Sequence, residues 1–75
     1  MTEEESFEIR AYGKAELAHL YNPAMPLVSA MRKLRSWILR NEELHTAMYQ
    51  AGENKKDHTY TRRQVRLMVQ YLGEP

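Results

Sequence analysis

A chain of 75 residues, 43% hydrophobic and 28% charged, is one domain near the size at which a lone core supplies only about 3–5 kcal/mol of net stability, so a deep catalytic cavity is not expected. It has no cysteine, which excludes disulfides and thiolate metal sites and leaves packing, helix caps or self-association to stabilise it, as suits a cytoplasmic protein. The formal net charge is only +1, but it is segregated: residues 1–31 hold five acids and two cations, residues 32–40 hold four cations and no acid, and residues 55–66 hold five cations against Asp57.

In chain order, residues 1–6 with Glu3, Glu4 and Glu5 are expected to be a disordered acidic tail, opposite in charge to a secretion signal. No apolar run approaches the ~18–20 residues of a membrane span, so no membrane partner is expected. Phe7 to Tyr12 alternates apolar and polar residues, which predicts a short strand over 7–12, broken by Gly13 and able to pair with Thr59-Tyr60. From Lys14 the spacing is helical and predicts a helix over 14–21, with Ala15, Leu17, Ala18, Leu20 and Tyr21 inward. Pro23 ends it, and Asn22 is a residue that tolerates the left-handed conformation common at helix ends. Pro26 fits the first turn of a second helix over 27–40.

Asn41 is a good N-cap for a third helix over 42–51, where Glu42 and Glu43 favour the positive end of the dipole and Leu44, Ala47, Met48 and Ala51 point inward. Gly52 should stop it. Thr61-Arg62-Arg63-Gln64 has the form of a capping box, with Tyr60 and Val65 as the matching hydrophobic staple. The helix it opens, over 62–72, carries an inward stripe of Val65, Met68, Val69 and Leu72, and Gly73 closes it. The predicted fold is mainly α: a compact four-helix domain over 7–73 with a two-residue tail, 74–75.

The second helix carries the clearest functional pattern. At about 100° per residue, Leu27, Ala30, Met31, Leu34, Trp37 and Ile38 fall within one arc, while Arg32, Lys33, Arg35 and Arg40 point elsewhere. Such like-charge crowding costs a few tenths of a kcal/mol per i,i+4 pair, which an anionic partner relieves. A solvated face is the plainer reading of the same residues.

A support helix, a turn and a basic second helix is the arrangement of a DNA-binding helix-turn-helix. On that template Leu17 and Tyr21 face the core, Ala18 lets the helices approach, and Val28 and Met31 are buried, although the helical wheel places Val28 off the buried arc. Ser29, Arg32, Lys33 and Ser36 would reach the groove, with Arg32 on a guanine edge and Lys33 on phosphate, while Arg35 and Arg40 track the backbone. Arg62, Arg63 and Arg66 would contact phosphate secondarily or simply solvate the fourth helix.

Little else in the chain carries chemistry. His19, His45 and His58 lack metal-ligand spacing, Glu42 and Glu43 are explained by their place after a cap, and no phosphate loop, nucleophile elbow or triad is present. No enzyme activity, metal, cofactor or small-molecule substrate is expected.

Tyr12-Gly13-Lys14-Ala15-Glu16-Leu17-Ala18, Tyr21-Asn22-Pro23, Ala30 with Arg32-Lys33-Leu34-Arg35 and Trp37-Ile38, and Tyr60-Thr61-Arg62-Arg63-Gln64-Val65 with Leu72-Gly73 form a specific set of blocks. Across Phe7 to Gly73 the chain thereby resembles an uncharacterised domain-of-unknown-function family of short Bacteroidetes proteins. The resemblance implies a self-contained small domain and brings no activity with it. Its Glu-Leu-Ala followed by an Arg-rich, Trp-Ile helix is also similar to helix-turn-helix regulators, by analogy of fold alone. Two functions follow: a small non-enzymatic protein binding double-stranded DNA, as a regulator or accessory factor, or a protein-interaction module whose basic helix meets an acidic partner or whose exposed Val28 and Leu39 support a homodimer.

Overall fold

The computed structural model describes residues 7–75; the expected acidic tail over 1–6 lies outside the described residues. In chain order it contains β1 (Tyr12–Gly13), α1 (Lys14–Tyr21), α2 (Leu27–Arg40), α3 (Glu42–Met48), β2 (Thr59–Tyr60) and α4 (Arg62–Leu72). Three of the four helices have the predicted bounds. The core joins Leu17 and Ala18 of α1, Ala30, Leu34 and Ile38 of α2, Leu44 and Met48 of α3, and Val65 and Met68 of α4, with Tyr12 and Tyr60 sealing it at the strand end.

The predicted strand over 7–12 is a correction. Only Tyr12 and Gly13 pair, antiparallel, with Tyr60 and Thr59, and Gly13 belongs to the strand instead of breaking it. The preceding segment folds back over Tyr12: Phe7 stacks on its ring at 5.3 Å, its hydroxyl donates to the Glu8 carbonyl at 2.8 Å, and the Arg10 guanidinium lies 3.7 Å from its ring centre. An extended strand could not bring positions four and five residues apart together in this way.

The helix starts follow from capping chemistry. Asn41 accepts from the Leu44 amide with its side chain, and Thr61 and Gln64 form the complete capping box at α4. Tyr60 and Val65, on either side of that box, are both buried. Pro26 stands one position earlier than predicted, as the N-cap of α2. Asn22, at φ −135°, is not left-handed; it closes α1 by donating its own amide to the Ala18 carbonyl at 3.0 Å.

α3 stops at Met48, three residues short of the predicted end, and Ala51 is exposed. Its last carbonyls are taken by α4. Arg63 donates twice to the Ala47 carbonyl, at 2.8 and 2.6 Å, and Gln64 donates to the Met48 carbonyl at 2.9 Å. The Ala51 amide, which would have continued the helix, donates to the Glu53 carboxylate at 3.1 Å, and Gly52 then turns the chain at φ +87°. The helix ends because side chains from the next element compete for its hydrogen-bonding groups.

α2 is rotated a little from the predicted wheel. Ala30, Leu34 and Ile38 are buried, while Leu27 is 47% and Met31 37% exposed. Ala18 and Ala30 are both fully buried on helices that pack against each other. Leu20, predicted to point inward from α1, is 44% exposed. Val28 at 64% and Met31 overturn the burial assigned to them by the helix-turn-helix template. The connection from Asn22 to Pro26 is five residues, longer than the 3–4-residue turn of that motif. Trp37 meets Tyr21 edge-on at 6.1 Å and packs against the core with part of its ring still open.

Candidate nucleic-acid interface

Rotating α2 about the Ala30–Leu34–Ile38 line leaves a wide exposed arc, and its cations divide between the two flanks. On one flank Ser29, Arg32, Lys33, Ser36 and Arg40 share a shallow hollow of about 340 Å³ with Met25 and the open edge of Trp37. These are five of the six DNA-contacting residues predicted from sequence. Arg32, Lys33 and Arg40 are exposed and the two serines half-buried. The Lys33 ammonium lies 5.8 Å from the Trp37 ring centre, within reach of a cation–π interaction, on a residue that is itself exposed.

None of these three cations pairs with a carboxylate among the described residues, whose ion pairs are Arg10 with Glu8 and Glu16, and Arg63 with Glu53. Chemically the flank offers three charges and two hydroxyls along one helix face, which are donors suited to phosphate oxygens and base edges.

Arg35, the sixth predicted residue, lies on the other flank. It lines a larger cleft of about 660 Å³ between α2, α3 and the segment leading into β2, with Lys14, Arg32, Lys55, Lys56, Tyr49 and Tyr60 among its other walls. Arg32 borders both hollows. Lys14, Lys55 and Lys56 were not singled out from sequence. Their signal lay in the expected pairing of residues near Tyr12 with Thr59-Tyr60, which brings the start of α1 beside the 55–58 loop: the Lys14 amide donates to the His58 carbonyl at 2.8 Å.

The second basic block divides as well. Arg62 and Arg66 are exposed, but Arg63 donates to the Glu53 carboxylate from Nε at 3.0 Å and from Nη2 at 3.4 Å, and from both terminal nitrogens to the Ala47 carbonyl. It is a structural clamp. His19 is exposed, His45 packs on Tyr49 at 5.3 Å, and no group of three potential metal ligands occurs among the described residues. No helix among them is long and apolar enough to cross a membrane.

Fold and surface together define a small, mainly helical domain with a two-strand sheet and a cation-lined central helix. The chain belongs to the family described as a domain of unknown function (DUF4248), whose model matches residues 8–75. No curated protein and no solved structure gives a significant match.

Proposed function

We propose that the chain is a small non-enzymatic cytoplasmic protein, a regulator or accessory factor, that binds double-stranded DNA through the Ser29, Arg32, Lys33, Ser36 and Arg40 flank of α2. The observation that carries the reading is the convergence of these five side chains in one open hollow, its three cations without a carboxylate partner among the described residues. A 14-residue helix, about 21 Å long at 1.5 Å per residue, fits a major groove about 12 Å wide. The reading keeps the two-helix arrangement of a helix-turn-helix, with α2 as reader, and does without the buried Val28 and Met31 of that motif. Arg32 addresses base edges, Lys33 and Arg40 engage phosphates, and Arg62 and Arg66 lend charge from α4.

The test is binding to duplex DNA across a salt series. Log affinity should fall linearly with log salt, by about 0.9 per phosphate neutralised, and the absence of binding at low salt ends the proposal.

A second reading, self-association, rests on a separate observation: Leu20, Leu27, Val28 and Leu39 are all large, apolar and at least 44% exposed, and Leu20 and Leu27 share a hollow with Pro23. The two readings are compatible, since many DNA binders of this size act as dimers.

A further inference from the structure

The cleft on the Arg35 flank is built differently from the duplex-facing hollow. Five cations ring it, Lys14, Arg32, Arg35, Lys55 and Lys56, and its lining also includes Met31, Ile38, Leu39 and the rings of Tyr49 and Tyr60. Two of the cations are held in place. Lys14 donates from Nζ to the Lys55 carbonyl at 2.9 Å and sits 5.2 Å from the Tyr60 ring centre, while the Lys55 ammonium lies 5.3 Å from that of Tyr49. A Lys ammonium has three donors, so Lys14 keeps two for a ligand. Burial, the largest influence, lowers the pKa of Lys14; Asp57 raises it, and the nearby Arg35 charge, the smallest of the three, lowers it.

The volume, about 660 Å³, lies within the ~300–1,000 Å³ of small-ligand sites. Cations alone would suit any anion, but apolar walls beside them select one with a body to bury. A phosphate carries a charge of about −1.5 to −2, enough to engage Arg35 and Lys14 together, whereas a carboxylate brings one charge. The tyrosine faces already have lysines over them, so the body of the ligand lies against Met31 and Leu39.

We infer that the cleft between α2, α3 and β2 is a second ligand site that takes a phosphate monoester with an apolar or aromatic body, its phosphate between Arg35 and Lys14 and its body on Met31 and Leu39. The site shares Arg32 with the duplex-facing hollow, but Ser29, Lys33, Ser36 and Arg40 take no part in it, and Arg35 and Lys14 take no part in the other.

The test is titration of the ¹⁵N-labelled full chain, followed by amide shifts, with inorganic phosphate, phenol, phenyl phosphate, adenosine monophosphate and octyl phosphate below its micellar concentration. Phenyl phosphate should bind at least about tenfold more tightly than inorganic phosphate or phenol, with shifts at Leu39, Tyr49, Lys55 and Tyr60. Tighter binding of adenosine monophosphate than of octyl phosphate identifies a nucleotide as the source of the chemistry; the reverse order identifies an alkyl ester. Arg35→Met, an exposed change that keeps the apolar stem, should weaken phenyl phosphate at least tenfold with the amide spectrum otherwise retained. Lys14→Gln checks the partner cation and should also weaken it. Equal affinity for inorganic phosphate and its esters, shifts confined to Ser29, Lys33, Ser36 and Arg40, or no loss in either variant overturns the inference.

Discussion

Gln64 donates its side-chain amide to the Met48 carbonyl at 2.9 Å while its side-chain oxygen accepts from the Thr61 amide at 2.9 Å. One side chain therefore completes the cap of α4 and receives the end of α3. It is 2% exposed, so truncation leaves two backbone groups without these partners. Gln64→Ala is expected to cost about 2–3 kcal/mol, combining a lost cap with an orphaned carbonyl. Chemical denaturation checks it, and a cost below about 1 kcal/mol would contradict the dual role.

Arg63 provides the neighbouring contrast. Its guanidinium joins Glu53 and the Ala47 carbonyl, whereas Arg62 and Arg66 on the same helix are exposed. Arg63→Ala should destabilise by about 1–3 kcal/mol, and Arg62→Ala or Arg66→Ala by less than about 0.5 kcal/mol. Thermal melts of the three variants rank them. Equal effects would show that the clamp does not operate in solution.

The α3 terminus shows where sequence reading stops. Thr61-x-x-Gln64 specified the start of α4 because every group in a capping box lies within four residues. The end of α3 depends on Arg63 and Gln64, 16 residues beyond the carbonyls they bind, and no local pattern around Ala47-Met48 records that. The same holds for function. Periodicity identified the cations of α2 as exposed, but their division into two flanks depends on how α1 packs against α2 and on where the Lys55 loop returns. Arg35 was therefore grouped with neighbours on its helix although it faces Lys14 across a cleft.

That division makes the α2 variants diagnostic. Lys33→Ala should weaken duplex binding and reduce the salt slope by about 0.9, and Arg32→Ala should do so with an added loss of sequence preference worth about 1–3 kcal/mol if it reads a base edge. Arg35→Ala should change duplex affinity least of the three. Binding isotherms at several salt concentrations give slopes and affinities together. A larger loss for Arg35 than for Lys33 would move the duplex to the cleft flank and refute the proposed face.

Tyr21 and Tyr60 make stability fall at high pH. Burial, and then Glu74, pushes the Tyr21 hydroxyl up to about 12; burial, and then Tyr49, does the same for Tyr60 against the opposing Arg35 charge. Tyr49 is raised as well, chiefly by burial. Tyr21 also donates to the Gly73 carbonyl at 2.6 Å, a bond that ionisation removes. Unfolded tyrosines lose their protons near pH 10, so between about pH 10 and 12 the native state holds more protons than the unfolded state and unfolding becomes easier as pH rises. The contribution is fully present below pH 10. Lys14, with its pKa lowered, acts in the opposite direction only below about 10.5, leaving the tyrosines to dominate above it. Melting temperature should therefore drop between pH 10 and 12, in step with a delayed phenolate absorbance, and a single tyrosine titration near pH 10 would contradict the burial of these hydroxyls.

Val28 tests the second reading. It is the most exposed of the large apolar residues, at 64%, and follows Leu27 at the start of α2, beside the hollow that Leu27 forms with Leu20 and Pro23. Burying a Val side chain in an interface contributes about 1.5–3 kcal/mol, and a symmetric dimer would bury it twice. Val28→Ser should therefore raise the dissociation constant of a homodimer by at least tenfold while leaving the monomer's stability within about 0.5 kcal/mol, because the side chain contributes little to the fold. Sedimentation velocity over a concentration series reads both chains. If the parent protein sediments as a monomer at every concentration, the exposed leucines and Val28 are not a dimer surface, and the proposed duplex-binding flank of α2 must act as a single copy.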